Sequence, residues 1–165
     1  MVSLSITPES LLVAKVTTYT VSLGTPIPIT ADDSIIVTLS SEMKVDTESF
    51  SCFVRVRNQA ATTKASCSYA ASSQRIIVTN YLSSRLRSLL GTNSANSQTT
   101  HPLYPRTLSA SIDTGSVVDV LLTGIKNKET NGAYSSSTAA SLINVSLGNY
   151  NSISDTYSLV ASSDF

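Results

Sequence analysis

Apolar residues recur at every second position through most of this chain, and that rhythm constrains its fold more than any other feature. Period two places one set of side chains on a buried sheet face and the alternate set toward solvent. Val2, Leu4 and Ile6 alternate with Ser3, Ser5 and Thr7 in a short N-terminal strand ended by Pro8. Leu12, Ala14 and Val16 form the next apolar face, and Tyr19, Val21 and Leu23 continue it in the opposite parity. The slip at Thr17-Thr18 predicts a β-bulge or a strand that changes sheets. Gly24-Thr-Pro-Ile-Pro28 closes this strand, and Ile35, Val37 and Leu39 give another after Asp32-Asp33. Residues 41–49 read as a polar loop. Further strands are expected at 52–57, 64–69, 76–78, 117–122, 143–147 and 153–159.

Residues 82–110 break the rhythm. Leu82, Leu86, Leu89 and Leu90 have helical spacing, with Gly91 placed to end the helix. A polar stretch from Thr92 to Thr100 and then His101-Pro-Leu-Tyr-Pro105 extend this into a long inserted loop. Eight or nine short strands plus one short helix predict a single domain over 1–165. Its class is all-β, a two-layer antiparallel β-sandwich with one short helix in an inserted loop.

Cys52 and Cys67 are the only cysteines. They occupy matching phases of Cys52-Phe-Val-Arg-Val-Arg57 and Lys64-Ala-Ser-Cys-Ser-Tyr69, so pairing across a hairpin is the expectation, with a turn at Asn58-Gln-Ala-Ala61. The alternative is two buried free thiols. A disulfide here closes a loop of about 15 residues, worth roughly 3 kcal/mol in the chain-entropy model. It also points to an oxidising compartment, hence to an extracellular or cell-surface location.

Eleven basic and eleven acidic residues cancel, so no global field draws the chain to nucleic acid or to an anionic membrane. Charged residues make up only 13% of the chain, and Ser and Thr fill the gap. Such a surface has weak electrostatic protection against self-association, which suits a subunit that polymerises. No apolar run of about 18 residues exists, so membrane insertion is not expected. Met1 to Thr7 alternates from the start, without a basic segment followed by an apolar one, so the expectation is a mature form or a piece of something longer.

Several segments in order resemble a known module. Tyr19-Thr-Val-Ser-Leu23, Ile27-Pro-Ile-Thr30, Ser34-Ile-Ile-Val-Thr-Leu39, the two cysteines, Ile76-Ile-Val78 and Leu122-Thr-Gly-Ile-Lys-Asn127 are followed by Val145-Ser-Leu-Gly-Asn-Tyr150 and Ser154-Asp-Thr-Tyr157. This series is similar to the Ig-like β-sandwich repeat of very large extracellular surface proteins of ciliates and other protists. Lys128 stands where those repeats have Pro, and 82–110 is an insertion relative to them. The resemblance implies an Ig-like sandwich with adhesive or structural duty and no enzyme.

Candidate chemistry is sparse. His101, the only histidine, lies in a Pro-flanked loop, and no G-x-S-x-G elbow exists to pair with it. One His and two cysteines cannot close a zinc site. Asp32-Asp33 with Glu42, Asp46 and Glu48 offers oxygens for Ca²⁺ but lacks a D-x-D-x-D-G loop, so turn chemistry is the reading preferred. No catalytic residue, metal or cofactor is therefore assigned. Arg55, Arg57 and Lys64 form a basic stripe that either guards an edge or binds an acidic glycan or partner. Tyr104, Tyr134 and Tyr150 stand near loops where they can stack on sugars. Asn144-Val-Ser146 is the one N-glycosylation sequon, with Asn144 on the outward phase of its strand.

The function expected is a non-enzymatic extracellular structural subunit of a filament or surface coat, a homo-oligomer or homopolymer. Val2, Leu4 and Ile6 mark the assembly strand, which pairs either with its own sheet or with the edge of the next copy. The alternative is an adhesin-like module that binds a glycan or protein through the loop at 92–105.

Overall fold

The computed structural model describes residues 4–30, 33–57, 62–82, 111–129, 141–151 and 156–162. Among these the chain is all-β. Its strands in order are β1 (Leu4–Pro8), β2 (Val16–Gly24), β3 (Ile29–Thr30), β4 (Asp33–Leu39), β5 (Lys44–Val45), β6 (Ser51–Val56), β7 (Thr63–Lys64), β8 (Ser66–Ala70), β9 (Arg75–Thr79), β10 (Ser111–Ile112), β11 (Val117–Lys126), β12 (Ile143–Asn151) and β13 (Thr156–Ser162). Every pairing is antiparallel. One sheet has the order β1-β2-β11-β6-β7, with β5 also on β11; a second has the order β13-β12-β4-β9-β8; β3 and β10 form a two-stranded pair.

Alternation explains the core. Tyr19, Val21 and Leu23 of β2, with Val118, Val120 and Leu122 of β11, supply the buried face of the larger sheet. Ile35, Val37 and Leu39 of β4, Ile76 and Val78 of β9, and Ile143, Val145 and Leu147 of β12 supply that of the second. All belong to one continuous hydrophobic cluster. β11 is the most enclosed strand, flanked by β2 on one side and by β6 and β5 on the other.

Strand order differs from the immunoglobulin pattern, and β1, β3, β5, β7, β10 and β13 stand outside the strand-by-strand correspondence with it. That pattern places the strands as A-B-E-D and C-F-G. If β2, β4, β6, β8, β9, β11 and β12 are lettered A to G, the orders observed are G-B-E-D and C-F-A. The five middle strands match, and the first and last exchange sheets. In chain order β2 is followed, after β3, by β4 of the other sheet, and β11 is followed by β12 of the other sheet.

The cysteine hairpin is corrected. Cys52 and Cys67 are bonded, with Cα atoms 6.2 Å apart, but they do not face each other on one ladder. The ladder of β6 runs with β7, Phe53 opposite Lys64 and Val54 opposite Thr63. Cys52 therefore faces Ala65, whose N–H donates to the Cys52 carbonyl at 3.1 Å. After Ala65 the chain leaves this sheet, and β8 pairs with β9 in the other. The disulfide thus ties the two sheets together, with Cys52 fully buried. Residue phase was legible in the sequence; the change of sheet at Ala65 was not, because a strand that crosses keeps its alternation. The turn at 58–61 lies outside the described residues.

Two further expectations change. Residues 12–16 are not a strand face. Leu12 is 64% exposed, Ala14 sits in the left-handed region at φ 55°, and β2 begins only at Val16. The parity slip near Thr17 is the entry of a loop, and Thr17 itself is buried in phase with Tyr19. The bulge lies instead in β11, between Leu122 and Ile125. Residues 41–49 are also more than loop, since Met43 is fully buried and Lys44–Val45 pairs with β11. The helix and loop expected over 82–110 lie outside the described residues, apart from Leu82, which packs partly against the core.

The β11 bulge depends on Gly124, at φ +73°. A Cβ there would stand 2.8 Å from the backbone N and Cα of Phe50. Absence of a side chain lets the 46–50 loop lie against the bulge, where the Asp46 N–H donates to the Gly124 carbonyl at 2.8 Å. Gly124→Ala combines a left-handed Cβ with a backbone clash, and we expect it to lower unfolding free energy by about 2–5 kcal/mol. Urea denaturation of the two proteins measures this; an unchanged midpoint would show that the bulge tolerates a side chain.

Candidate functional site

The outer face of the larger sheet carries the densest polar constellation among the described residues. Cys52 and Val54 point inward on β6, which turns Phe53 and Arg55 outward; Arg57 follows, fixed by its N–H to the Val117 carbonyl at 2.8 Å. On β11, Val118 and Val120 are fully buried and Asp119 between them points to the outer face. Register places Ser22, Asp119 and Arg55 in one row across β2, β11 and β6. Ser22 Oγ donates to Asp119 Oδ1 at 2.6 Å, Arg55 to Oδ2 at 2.8 Å, and Arg57 approaches Oδ1 at 3.6 Å. Although it sits on an outer face, the Asp119 side chain is 3% exposed, while those of Arg55 and Arg57 are 47% and 59% exposed. Burial alone would raise the Asp119 pKa. The hydrogen bonds from Ser22 and Arg55 and the charges of Arg55 and Arg57 outweigh it and hold the carboxyl below its usual range.

A second polar cluster sits at the far end of β11. The Asn127 side-chain amide donates to the carbonyls of Ser10 (2.9 Å) and Leu12 (2.8 Å), and its Oδ1 accepts from the buried Tyr19 hydroxyl at 2.6 Å. Backbone bonds from Asn127 N to Lys15 O and from Ala14 N to Lys128 O complete the attachment. This knot holds the 10–15 loop in place and with it the outward side chains Leu11, Leu12 and Val13. Beside it lies an open concavity of about 380 Å³ bordered by Glu9, Lys15, Thr18, Ser49 and Thr123. Nearby, Glu129 takes a hydrogen bond from Lys126 at 2.7 Å, and this bond and the lysine charges lower its pKa.

The structure places the other sequence candidates individually. Asp33 has turn chemistry: its carboxylate accepts from Thr30 N at 2.7 Å and Thr30 Oγ1 at 2.8 Å, reaching back over the connection to β4. Its carbonyl accepts from the buried Tyr81 hydroxyl, whose pKa is raised by burial and by the Asp33 charge. No group of three His, Cys, Asp or Glu side chains gathers among the described residues. Asn144 is exposed on β12, opposite Thr38 of β4, as a glycan acceptor must be. Leu4 is half-buried and Ile6 buried, and β1 pairs with β2 of its own chain from Leu4 opposite Leu23 to Pro8 opposite Tyr19. Val2, His101, Tyr104, Tyr134 and the loop at 92–105 lie outside the described residues. Tyr150 falls in β12, opposite Tyr157. No helix among the described residues is long and apolar enough to cross a membrane.

Sequence reasoning named Arg55 and Arg57 but missed their partner. The available signal was Asp119 itself, a lone acid inside Val117-Val-Asp-Val-Leu-Leu122 on the outward phase. Asn127 was quoted only as part of a motif, and its partners are over a hundred residues away in sequence. No protein-family model matches the chain, and neither does any curated protein or solved structure. The class defined here is therefore a structural one: an all-β, antiparallel, disulfide-tied domain.

Acid should test the Asp119 contacts. Its folded pKa lies below the unfolded value of about 3.9, so the unfolded chain binds more protons in that window. The contribution is present above the unfolded pKa and is lost as pH falls through the folded one. Asp119→Asn should be less stable than the parent by roughly 1–3 kcal/mol at neutral pH, and the gap should narrow as pH drops toward about 2. Urea midpoints across pH measure this; a constant gap would contradict the electrostatic account.

Proposed function

We propose that the chain is a non-enzymatic extracellular structural subunit of a filament or surface coat, assembling through β-strand and loop contacts. The observation that carries this reading is the chemistry of the sheet ends. Sheet ends are normally blunted by charge, Pro, bulges or a covering segment, because an open row of N–H and C=O groups templates pairing with another chain; of these devices β1 carries Pro8. β1 (Leu-Ser-Ile-Thr-Pro), β8 (Ser-Cys-Ser-Tyr-Ala) and β13 (Thr-Tyr-Ser-Leu-Val-Ala-Ser) end their sheets without a single Asp, Glu, Lys or Arg. β7, with Lys64, and the side strand β5, with Lys44, each carry one. Cys67 also ties β8 to the core through Cys52.

Location outside the reducing cytosol agrees with the disulfide. The architecture in this proposal is a β-sandwich related to the immunoglobulin type, with its first and last strands exchanged between layers. A relation to the repeat modules of protist surface proteins also belongs to the proposal. It rests on the sequence resemblance alone; in this chain Tyr19, Gly124 and Asn127 of those segments attach the N-terminal segment and the 46–50 loop to β11. An exposed Asn144 fits a glycoprotein.

Removing residues 1–7 would disturb the core, because Ile6 is buried there, so charge is the cleaner probe. Ser5 on β1 and Ser68 on β8 are both exposed. The double variant Ser5→Lys, Ser68→Lys should leave stability within about 0.5 kcal/mol and abolish concentration-dependent assembly seen by light scattering and negative-stain imaging. A parent protein that stays monomeric at high concentration, or fibres unchanged in the variant, would sink the reading.

A further inference from the structure

The two outer faces of the molecule differ in charge. Around Asn144 the second sheet shows Thr38, Ser146 and Ile77, with Arg75 at one end. The larger sheet presents Arg55, Arg57 and Lys64 on one half and hydroxyls on the other: Ser5 and Ser22 in one row, Thr7 and Thr20 in the next, Thr123 beside Ser51. Among the described residues Asp119 is the acid set beside Arg55 and Arg57 by register and contact, and with Lys64 the described side chains of this half sum to a net positive charge. Arg55 is braced from one side by a hydrogen bond to the buried Asp119 carboxylate and Arg57 is drawn toward it at 3.6 Å, yet about half of each side chain remains open to solvent. A guanidinium held this way has lost much of its freedom before any ligand arrives, and its planar set of N–H donors matches a carboxylate or sulfate. Phe53 lies next on the same face, half-buried, opposite Lys64 on one side and Leu121 on the other.

We propose that this face binds an anionic polysaccharide, with the Arg55, Arg57 and Lys64 side chains holding its carboxylate or sulfate groups and Phe53 under a sugar ring. Phe53 and Arg55 are separated along the strand by about 7 Å, a spacing suited to one ring and its charged substituent. The surface is open and bordered by hydroxyls able to pair with sugar hydroxyls. An acidic peptide can also pair with an arginine cluster, but the half-buried Phe53 ring beside the cations and the bordering hydroxyls match a sugar ring and its hydroxyls better than a peptide chain. The proposal does not depend on the filament reading, because it places binding on a face and assembly at edges.

The test uses the whole chain at low salt, with dextran sulfate, polygalacturonate, neutral dextran and poly-glutamate as probes in affinity electrophoresis. The parent should be retarded by at least one of the two polyanionic sugars and not by neutral dextran. Retardation by both marks charge geometry shared by carboxylate and sulfate, and retardation by one names the group. Arg57→Gln with Lys64→Gln should weaken binding by roughly tenfold or more while thermal unfolding stays near the parent's; Arg55 is left in place so that Asp119 keeps its closest partner. Arg75→Glu, an exposed charge change on the other sheet, should leave binding as in the parent. Phe53→Ser should weaken polysaccharide binding without altering net charge. No retardation by either sugar polyanion, equal loss in the Arg75 variant, or poly-glutamate bound as strongly as the sugars would overturn the proposal.

Discussion

The far end of β11 is the point on which the rest of the described structure hangs. Within six residues, Leu122 to Asn127, the strand completes its core ladder, bulges at Gly124, and ends on an amide that faces inward. Gly124 admits the 46–50 loop and leaves Ile125 and Lys126 to pair with both β2 and β5. Asn127 then captures carbonyls from Ser10 and Leu12 and the hydroxyl of Tyr19. A buried amide that finds partners for its oxygen and both its hydrogens is stabilising, whereas the same groups unpaired would cost free energy. The N-terminal segment is thereby fixed by residues more than a hundred positions later, and Ala14 is held in a conformation that a non-glycine residue adopts at a cost.

From that anchor the architecture follows outward. β2 is seated against β11, β1 against β2, and the inward phase of each joins the core shared with the second sheet. The disulfide adds a covalent tie at the opposite flank, where the chain passes from β7 to β8 and changes sheets at Ala65. The Asn127 knot governs the approach to the interior strand β2, and the disulfide governs β8, an end strand of the second sheet. Of the strands that end the two sheets, β1, β8 and β13 carry no charged residue and β7 carries Lys64. On the broad outer face of β6 and β11, the opposite arrangement holds, with charge concentrated around a buried Asp119.

Much of this was legible in residue phase. Alternation in Tyr19 to Leu23, Ile35 to Leu39, Ile76 to Val78 and Ile143 to Leu147 gave strands and inward faces that the structure keeps. Phase says nothing about which sheet a strand joins, so Cys52 and Cys67 looked like hairpin partners when they are partners across layers. It also misled at 12–16, where apolar residues alternate in a loop because hydrogen bonds from Asn127, not burial of Leu12, decide the conformation. The basic stripe was visible as three cations at 55, 57 and 64, but its organisation around Asp119 depends on strand pairing over more than sixty residues.

The most direct test of this account is hydrogen exchange on Asn127→Ala. If the Asn127 side chain anchors the N-terminal segment, the amides of Glu9 and Ala14 and those of β1 should exchange markedly faster in the variant, while those of Ile76 to Val78, in the second sheet, keep their protection relative to global unfolding. Protection lost evenly throughout, or retained at Glu9 and Ala14, would contradict the claim that this one side chain holds the segment in place.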